Sequence, residues 1–344
     1  MKNNRVLVAM SGGVDSSVTA AILKQQGFDL VGITMRVVKD SQFDPSYAKN
    51  VAKSLGIEHH TIDISSKFKD MVIDYFVDTY LAGSTPNPCV KCNQTIKFDY
   101  LLELGKEFGT SKIATGHYAR IKEFKGHQVI AKGLDRNKDQ SYFLSLVKSS
   151  NINKIIFVLG DYSKSETRSI AANLNLQGFD QRESQEICFT INDDYVQTLQ
   201  QHTNQLVGEG NILDINGKII GTHPGFYHYT IGQRHSINVA TTNRLYVLNI
   251  DAKQNEITVG DQTDLYRRDL VLRDVEWSVP KDQLEGITIA AKIRYRSEEA
   301  KATMKQLSSG KLHLTFDEPQ KSVTPGQVAT LYHDDFVIGG GWIE

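Results

Sequence analysis

Near its start the chain reads Arg5-Val6-Leu7-Val8-Ala9-Met10-Ser11-Gly12-Gly13-Val14-Asp15-Ser16-Ser17. The first half of this stretch has the composition of a buried parallel strand, and apolar residues then recur at helical spacing as far as Gly27. A turn between a strand and a helix directs backbone N–H groups and the positive end of the helix at one point, which suits a phosphate. We expect Gly12 and Gly13 to take positive φ angles and to let a ligand approach the backbone.

The side chains of this turn indicate which class of phosphate-binding loop it could be. Its serines supply hydroxyl donors, and an acid such as Asp15 beside a phosphate is best explained by a bound Mg²⁺ ion. The turn lacks the Gly-Lys-Ser/Thr of a Walker loop and the Gly-x-Gly-x-x-Gly of a dinucleotide site. An ordinary strand-to-helix turn of small residues is the alternative interpretation.

Composition limits the class of protein. A length of 344 residues predicts two or three domains, and a net charge of −1 confines any RNA contact to a local basic surface. The apolar runs are too short for a membrane span or a signal peptide, so we expect a cytoplasmic protein without a membrane partner. The three cysteines, Cys89, Cys92 and Cys188, argue against a disulfide framework and favour thiol or metal chemistry.

Strands and helices alternate over the first part of the chain. Apolar runs at residues 30–35, 58–64 and 113–115 predict strands, with helical stripes between them. This order predicts an α/β fold with a doubly wound parallel sheet, whose ligands lie beyond the carboxyl ends of the strands. At that edge Met35 could lie against adenine or simply pack in the core, and Gly116 could admit a ribose.

A stiff loop carries two of the cysteines. Residues 85–93 read Thr-Pro-Asn-Pro-Cys-Val-Lys-Cys-Asn. Cys92 lies near the N-terminus of a predicted helix, with Lys91 and Lys97 close in sequence, and both effects favour its thiolate form. The Cys-x-x-Cys spacing also fits a redox pair, or half of a zinc site completed by Cys188 and a histidine, so metal and thiol chemistry both stay open.

From about residue 198 the pattern changes to strands. An Asn-Gly pair within residues 212–220 predicts a hairpin, and residues 245–248 and 257–259 predict a second pair of strands. We therefore predict three domains, at residues 1–197, 198–263 and 264–344.

The last of these domains alternates almost throughout, which predicts a small β-barrel or sandwich. One predicted strand, running from residue 287 to residue 296, has an apolar face and a face that ends in Lys292, Arg294 and Arg296. These cations are either a solvated strand edge or a contact with RNA phosphates.

Five motifs in a fixed order resemble a known family. They are Ser11-Gly12-Gly13-Val14-Asp15-Ser16-Ser17, Thr85-Pro86-Asn87-Pro88 with Cys92-Asn93, Ala114-Thr115-Gly116-His117-Tyr118-Ala119, Lys138-Asp139-Gln140-Ser141-Tyr142-Phe143-Leu144 and Glu183-Ser184-Gln185-Glu186-Ile187-Cys188-Phe189. The chain resembles the bacterial tRNA-specific 2-thiouridylases, which belong to the PP-loop ATP pyrophosphatases, over nearly its whole length. The resemblance implies a Rossmann-like PP-loop catalytic domain, a small central domain of mixed or β structure, and a C-terminal β-barrel that contacts tRNA.

The resemblance also implies roles for matching positions. ATP would be bound by Ala9, Met10, Ser11, Gly12, Gly13, Val14, Asp15, Ser16, Met35 and Gly116, with Mg²⁺ at Asp15. tRNA would be contacted by Asn87, Pro88, Cys89, His117, Lys138, Asp139, Gln140, Tyr295, Arg296 and Gln327. Cys92 would be the nucleophile and Cys188 the persulfide carrier, and the two would form a redox disulfide. Without the family, Lys138 is a solvated loop residue and His117 a satisfied histidine at a strand end.

The implied reaction is ATP-dependent 2-thiolation of the wobble uridine, U34, in tRNAs for Lys, Glu and Gln. ATP would adenylate the C2 oxygen of a flipped-out uracil, and the Cys188 persulfide, loaded by a cysteine desulfurase or a sulfur relay protein, would supply the sulfur. Two other classes stay open: a PP-loop synthetase of the amidotransferase type that acts on a small molecule, and a non-enzymatic RNA-binding or redox-sensing protein with a three-cysteine metal site.

One position departs from the family. Its commonest form has Asp, the proposed acid/base for uracil, where this chain has Cys89. Cys89 could take over that proton role if its pKa is tuned towards neutrality. Alternatively, Cys89, Cys92 and Cys188 could be the ligands of a [4Fe–4S] cluster whose fourth iron binds a donor sulfide. We favour the persulfide route, because Cys92 and Cys188 have complete roles in it.

Overall fold

The computed structural model describes residues 4–39, 44–176, 187–191, 194–239 and 244–344. Part of the last sequence motif, residues 183–186, lies outside the described residues. Each helix within those ranges is too short or too polar to cross a membrane.

The strands and helices of the described residues are as follows. The strands are β1 (Arg5–Ala9), β2 (Asp29–Arg36), β3 (Glu58–Asp63), β4 (Lys112–Thr115), β5 (Ala119–Phe124), β6 (His127–Lys132), β7 (Ile155–Phe157), β8 (Gly210–Leu213), β9 (Ile219–His223), β10 (Tyr246–Asp251), β11 (Glu256–Gly260), β12 (Tyr266–Trp277), β13 (Ile289–Lys292), β14 (Ala300–Gln306), β15 (Leu312–Lys321), β16 (Val328–His333) and β17 (Phe336–Ile343). The helices are α1 (Val14–Gln25), α2 (Ser46–Ser54), α3 (Ser65–Phe68), α4 (Asp74–Leu81), α5 (Pro88–Cys92), α6 (Leu101–Glu107), α7 (Ser149–Ile152), α8 (Lys164–Asn173) and α9 (Tyr195–His202). Two π-helical segments, Lys69–Ile73 and Asn93–Tyr100, join α3 to α4 and α5 to α6.

A five-stranded parallel sheet, in the order β3-β2-β1-β4-β7, forms the first unit. Its central strand β1 is apolar and buried at Val6, Leu7 and Val8, because helices cover both faces of a parallel sheet. The strand order reverses beside β1, and ligands of such sheets bind at that crevice. The predicted doubly wound α/β fold is confirmed.

The central unit is a four-stranded sheet in the order β10-β11-β8-β9, in which β11 and β8 are parallel and the other neighbours are antiparallel. The predicted hairpin at residues 212–220 is confirmed as β8 and β9. Its apolar side joins a cluster that also contains Phe76 and Phe189 of the first unit. This cluster holds the central sheet against α3, α4 and the end of α5, the helix that carries two of the cysteines.

The C-terminal unit is a closed antiparallel barrel. Its six strands follow the order β12-β15-β14-β13-β16-β17, and β17 pairs back with β12. The hairpin of β5 and β6, which the sequence patterns do not predict, extends the barrel sheet through the pair Phe336 and Ala131. The first unit is therefore joined to the barrel by backbone pairing as well as by side chains.

The barrel strand predicted over residues 287–296 is confirmed over Ile289–Lys292 and is wrong beyond Lys292. Strand β13 ends at Lys292, and the chain turns so that the backbone N–H of Ser297 donates to the carbonyl oxygen of Arg294 at 3.2 Å. Arg294 leaves the strand pattern because its guanidinium binds inward, to the carbonyl oxygens of Ile231 (3.1 Å) and Ser322 (2.6 Å). Lys292, Arg294 and Arg296 therefore do not form one cationic strand face.

Candidate functional site

Serine side chains shape the predicted phosphate turn between β1 and α1. The hydroxyl of Ser16 donates to the carbonyl oxygen of Gly13 at 3.1 Å and accepts from the backbone N–H of Ser11 at 3.1 Å. The hydroxyl of Ser17 donates to the same Gly13 oxygen at 2.9 Å. Ser16 and Ser17 are buried whereas Ser11 is exposed, so the inner hydroxyls fix the turn and Ser11 is open to a ligand.

The glycines of the site differ in the structural reason that requires glycine. Gly12 has a φ of +85°, as expected, but Gly13 has a φ of −75°, so the expected positive angle there is wrong. Gly13 is in the ordinary extended region because it caps α1. A Cβ on Gly116 would lie 2.9 Å from backbone atoms of Asp15 and Ser16. Gly116 thus lets the end of β4 touch the first turn of α1, and its predicted contact with ribose stays a prediction.

Asp15 is held by two groups that the sequence patterns do not reveal. Lys164 places its Nζ 2.7 Å from Oδ1 and 2.9 Å from Oδ2 of Asp15. The hydroxyl of Tyr118 donates to Oδ1 at 2.8 Å. Only 11% of the Lys164 side chain and 35% of the Asp15 side chain are exposed. The pair places an ammonium group beside the phosphate turn.

Met10 and Met35, two predicted ATP contacts beside the turn, pack wholly or partly in the protein core. Met10 is buried, and its backbone carbonyl accepts a 2.7 Å hydrogen bond from the hydroxyl of Thr34. Met35 follows Thr34 and packs against the apolar clusters on one face of the parallel sheet while staying partly exposed. This position supports the core interpretation and leaves one side of Met35 free.

Helix α5 carries Cys89 and Cys92 one turn apart. It begins at Pro88, and the side chain of Asn87 caps it by accepting from the backbone N–H of Val90 at 3.3 Å. Asn87 and Pro88 are buried, so the structure gives both residues an internal role, and their predicted tRNA contacts stay predictions.

The third cysteine lies in the same neighbourhood. Its chain neighbours Ile187 and Phe189 pack in the apolar cluster that includes the partly buried Cys92. The Phe189 ring meets those of Phe68 and Phe76 edge-on, at centroid distances of 5.6 and 5.2 Å. Cys188 itself is exposed, as is Cys89, and the described residues contain all three cysteines as free thiols.

The protein around the three sulfur atoms opposes their ionisation. Desolvation raises the pKa of all three thiols, and that of Cys92 to about 12, although Cys89 and Cys188 reach solvent with part of their surface. Cys188 raises the pKa of Cys89 and Cys92 further, as a neighbouring like charge does. Lys97 does favour the Cys92 thiolate, as the sequence predicts, but burial outweighs this cation and raises the pKa of Cys92.

The two lysines near Cys92 face different ways. Lys97, on the π-helical segment, lowers the pKa of all three thiols. Lys91 places its Nζ over the Tyr75 ring, 5.5 Å from its centroid, and interacts electrostatically with Asp274 of the barrel. Of these two lysines, Lys97 is thus the one that favours ionisation of the thiols.

His117 is buried at the end of β4. Its Nδ1 lies 2.7 Å from the hydroxyl of Thr115, and its ring packs against Phe98 and Phe157. Desolvation holds its pKa well below the usual value, so the ring is neutral. Phe98 belongs to the π-helical segment that follows Cys92, and Gly116 touches α1, so His117 lies between the phosphate turn and the cysteine segment at one edge of the sheet.

A barrel residue holds the loop before α5. The Nε2 of Gln327 donates to the carbonyl oxygens of Thr85 at 3.1 Å and Pro86 at 2.9 Å. The backbone N–H of Thr85 donates in turn to the carbonyl oxygen of Pro325 at 2.9 Å. The predicted tRNA residue Gln327 is therefore engaged by the protein, and its side chain links the barrel to the cysteine loop.

The predicted tRNA residues 138–140 shape their own loop. Asp139 accepts from the backbone N–H of Gly133 at 2.9 Å and from the hydroxyl of Ser141 at 2.8 Å. Gln140 accepts from the backbone N–H of Tyr118 at 2.9 Å, next to the residue that binds Asp15. Lys138 is partly exposed at the loop surface.

The other two predicted tRNA residues of the barrel unit, Tyr295 and Arg296, differ in exposure. Tyr295 packs on Phe143 of the first unit with ring centroids 4.5 Å apart, and Lys292 lies over the Tyr295 ring at 5.7 Å. Arg296 is exposed. Arg296 is therefore accessible to a phosphate. Tyr295 instead joins the barrel to Phe143, whose carbonyl oxygen accepts a hydrogen bond from Asn93, the residue after Cys92.

The sequence patterns do not predict that Lys164 and Tyr118 bind Asp15. They also do not predict that Gln327 binds the loop before α5. Residues 163–166 carry the signal of a helix start, and Ser163 and Glu166 do form a capping box. That signal places Lys164 on a first helical turn, but only the packing of α8 against α1 brings it to Asp15. Among the described residues, no three His, Cys, Asp or Glu side chains are placed to hold a metal ion.

Comparisons with known proteins match all three units. The tRNA methyl transferase HUP domain family matches residues 4–192, the tRNA methyl transferase PRC-barrel domain family residues 196–261, and the aminomethyltransferase beta-barrel domain family residues 267–343. The fold and the site thus define a HUP-domain protein of the tRNA-modifying class with two β-rich units attached.

Full-length relatives specify the family. The chain is 42% identical to the tRNA-specific 2-thiouridylase MnmA 1 of Clostridium botulinum (strain Okra / Type B1), over 100% of this chain and 99% of the relative. It is 43% identical to MnmA 2 of Thermoanaerobacter sp. (strain X514), over 99% and 98% of the two chains. The chain belongs to the tRNA-specific 2-thiouridylase family.

Among solved structures, the chain matches the U34-tRNA thiolase NcsA from Methanococcus maripaludis with its [4Fe-4S] cluster. The identity is 19%, the TM-score is 0.37, and the match covers 58% of this chain and 66% of that one. A similarity at this level supports no conclusion about mechanism.

Proposed function

We propose that the protein catalyses ATP-dependent 2-thiolation of the wobble uridine, U34, of tRNA. The observation that carries the proposal is the position of Cys92 and Cys188, which share one apolar neighbourhood at the edge of the sheet that also holds the phosphate turn. A small-molecule synthetase would need the turn but not two thiols beside it. A redox or RNA-binding protein would need the thiols but not the turn.

The phosphate turn would bind ATP for adenylation of the C2 oxygen of uracil. Backbone N–H groups at the start of α1 would stabilise the departing pyrophosphate. Mg²⁺ commonly binds through one carboxylate and the phosphates of a nucleotide, so Asp15 suffices for an ion that arrives with ATP. That ion would neutralise phosphate charge and the charge of Asp15, and the Lys164 ammonium group, which pairs with Asp15 at the turn, would lie beside the phosphates.

Sulfur transfer would use the two thiols in turn. The exposed Cys188 accepts a sulfur atom from a cysteine desulfurase or relay protein and becomes a persulfide. Its terminal sulfur attacks C2 of the adenylated uracil and displaces AMP. Cys92 then gives up its proton to solvent and its sulfur attacks the Sγ of Cys188, so that the terminal sulfur stays on uracil and a Cys92–Cys188 disulfide forms. Two electrons from an external dithiol restore both thiols.

The test is mass spectrometry of tRNAs for Lys, Glu and Gln after incubation with the full-length protein, ATP, Mg²⁺ and a persulfide donor. We expect 2-thiouridine at U34 together with one AMP and one pyrophosphate for each sulfur transferred. Cys188→Ser should accumulate adenylated tRNA without 2-thiouridine, because activation precedes sulfur attack. Thiolation by Cys188→Ser, or thiolation that requires iron and sulfide, would contradict the persulfide route.

A further inference from the structure

We propose that Cys89 takes over the disulfide after each sulfur transfer, forming Cys89–Cys92 and releasing Cys188 as a free thiol. The proposal rests on the proposed function, because it follows the step that forms Cys92–Cys188. It assigns Cys89 a role in regenerating the enzyme, in place of a contact with the uracil.

Helix α5 brings the two sulfur atoms of this exchange together. Cys89 and Cys92 are three residues apart within Pro88–Cys92. Regular helix geometry then sets their Cα atoms about 5 Å apart. Disulfides span Cα distances of roughly 4.4–6.8 Å but need Cβ atoms roughly 3.5–4.5 Å apart, whereas residues three apart on a helix have Cβ atoms about 5–6 Å apart, so the pair closes with a local tightening of the first turn of α5. Pro88 and the Asn87 cap fix the start of the helix, which keeps Cys89 close to its partner.

The exchange frees Cys188 to accept the next sulfur atom, and the surroundings of Cys188 allow it. Ile187 and Phe189 pack in the apolar cluster that includes Cys92 and so hold the exposed Cys188 beside it, and α5 places Cys89 one turn from Cys92, so a Cys92–Cys188 disulfide lies within reach of the Cys89 thiol. Cys188 is exposed and can be reloaded by a donor protein only when its sulfur is free. Cys89 is exposed as well, whereas Cys92 is partly buried, so an external dithiol can reach the disulfide at Cys89.

The exchange is balanced within the protein. Cys89 loses its proton, and its thiolate attacks the Sγ of Cys92 in line with the bond to Cys188. The Cys89–Cys92 bond forms as the Cys92–Cys188 bond breaks, and the leaving Cys188 thiolate takes up a proton. One disulfide and one thiol are present before and after. The external dithiol then reduces Cys89–Cys92 and is itself oxidised to a disulfide.

The experiment maps disulfides in the full-length protein with and without turnover. In the chemical arm, the reduced protein receives one equivalent of the thiol oxidant diamide, and is then acid-quenched, alkylated and digested for mass spectrometry. We expect Cys89 and Cys92 to be joined and Cys188 to be alkylated. In Cys89→Ser the same treatment should join Cys92 to Cys188, and equal melting temperatures would show that the variant is folded.

Two results would overturn the exchange. One is wild-type protein that keeps Cys92–Cys188 with Cys89 alkylated, and the other is a Cys89→Ser variant that forms no Cys92–Cys188 bond. The turnover arm adds ATP, tRNA and a persulfide donor without reductant and follows both disulfides over time. If it yields no 2-thiouridine the proposed function fails, whereas the chemical arm still reports on the exchange.

Discussion

Lys164 and Asp15 form a close ion pair, with the Nζ of Lys164 2.7 Å from Oδ1 and 2.9 Å from Oδ2. The two residues are 149 positions apart, at the starts of α8 and α1. The first turn of α1 also presents its N–H groups, and Lys164 cancels the negative charge of Asp15 at the place where phosphate binding is proposed. Lys164 therefore neutralises Asp15 in the free protein and is poised to bind an anion.

We expect Lys164→Met to weaken ATP use. A charged hydrogen bond contributes about 1.5–3 kcal/mol, so KM for ATP should rise roughly 10- to 150-fold in pyrophosphate-release assays. Lys148→Met is the matched control, because Lys148 pairs with Asp99 at the surface, with 52% of its side chain exposed. Equal effects of the two substitutions would contradict a role for Lys164 at the phosphate turn.

Lys97 should set the reactivity of the thiols. Its cation favours a thiolate, so Lys97→Gln should raise the thiol pKa and shift the pH profile of Cys92 alkylation to higher pH. A nearby opposite charge shifts a pKa by about one unit or more, so alkylation at a fixed pH near 8 should slow about tenfold. Lys97→Arg should keep the profile. Lys91→Gln is the control, since Lys91 lies over Tyr75, and a shift in that variant as large as in Lys97→Gln would refute the assignment.

Gln327 should act on the cysteine loop before any tRNA is present. Gln327→Ala removes both hydrogen bonds to Thr85 and Pro86, so we expect faster alkylation of Cys89 and Cys92 and a loss of about 1–3 kcal/mol of unfolding free energy. Gln320→Ala is the control, because its amide binds only the exposed carbonyl of Glu318 among the described residues. If Gln327→Ala lowers tRNA affinity while thiol reactivity and stability stay unchanged, Gln327 is a direct tRNA contact instead.

The sequence-based predictions succeeded where local patterns decide the structure. The apolar run before Ser11 and the Asn-Gly pair after Ile215 each determine a strand or a turn on their own. They failed where distant segments meet. Arg294 alternates like a strand residue, yet its inward hydrogen bonds to Ile231 and Ser322 end the strand pattern. Likewise, Lys164 reaches Asp15 only because α8 packs on α1, which no local pattern encodes.

Arg296 and Arg294 should affect tRNA binding in different ways, although they are two residues apart. Arg296 is exposed, so Arg296→Ala should remove about one phosphate contact and lower the slope of log affinity against log salt by roughly 0.7–0.9. The Arg294 guanidinium instead bonds to the carbonyl oxygens of Ile231 and Ser322 and so ties the central unit to the barrel. Arg294→Ala should therefore leave the salt slope unchanged while lowering the melting temperature.

Fluorescence anisotropy with labelled tRNA at four or more salt concentrations measures the slope, and thermal unfolding measures stability. Arg268→Ala is a further control, since Arg268 is exposed on the barrel and donates to the carbonyl oxygen of Asp317 at 2.7 Å. We expect it to change neither quantity appreciably. A reduced salt slope in Arg294→Ala at unchanged stability would contradict this assignment and show that Arg294 contacts tRNA phosphates. An unchanged slope in Arg296→Ala would place the tRNA backbone elsewhere on the protein, because an exposed cation within the contact surface must release counterions when it binds.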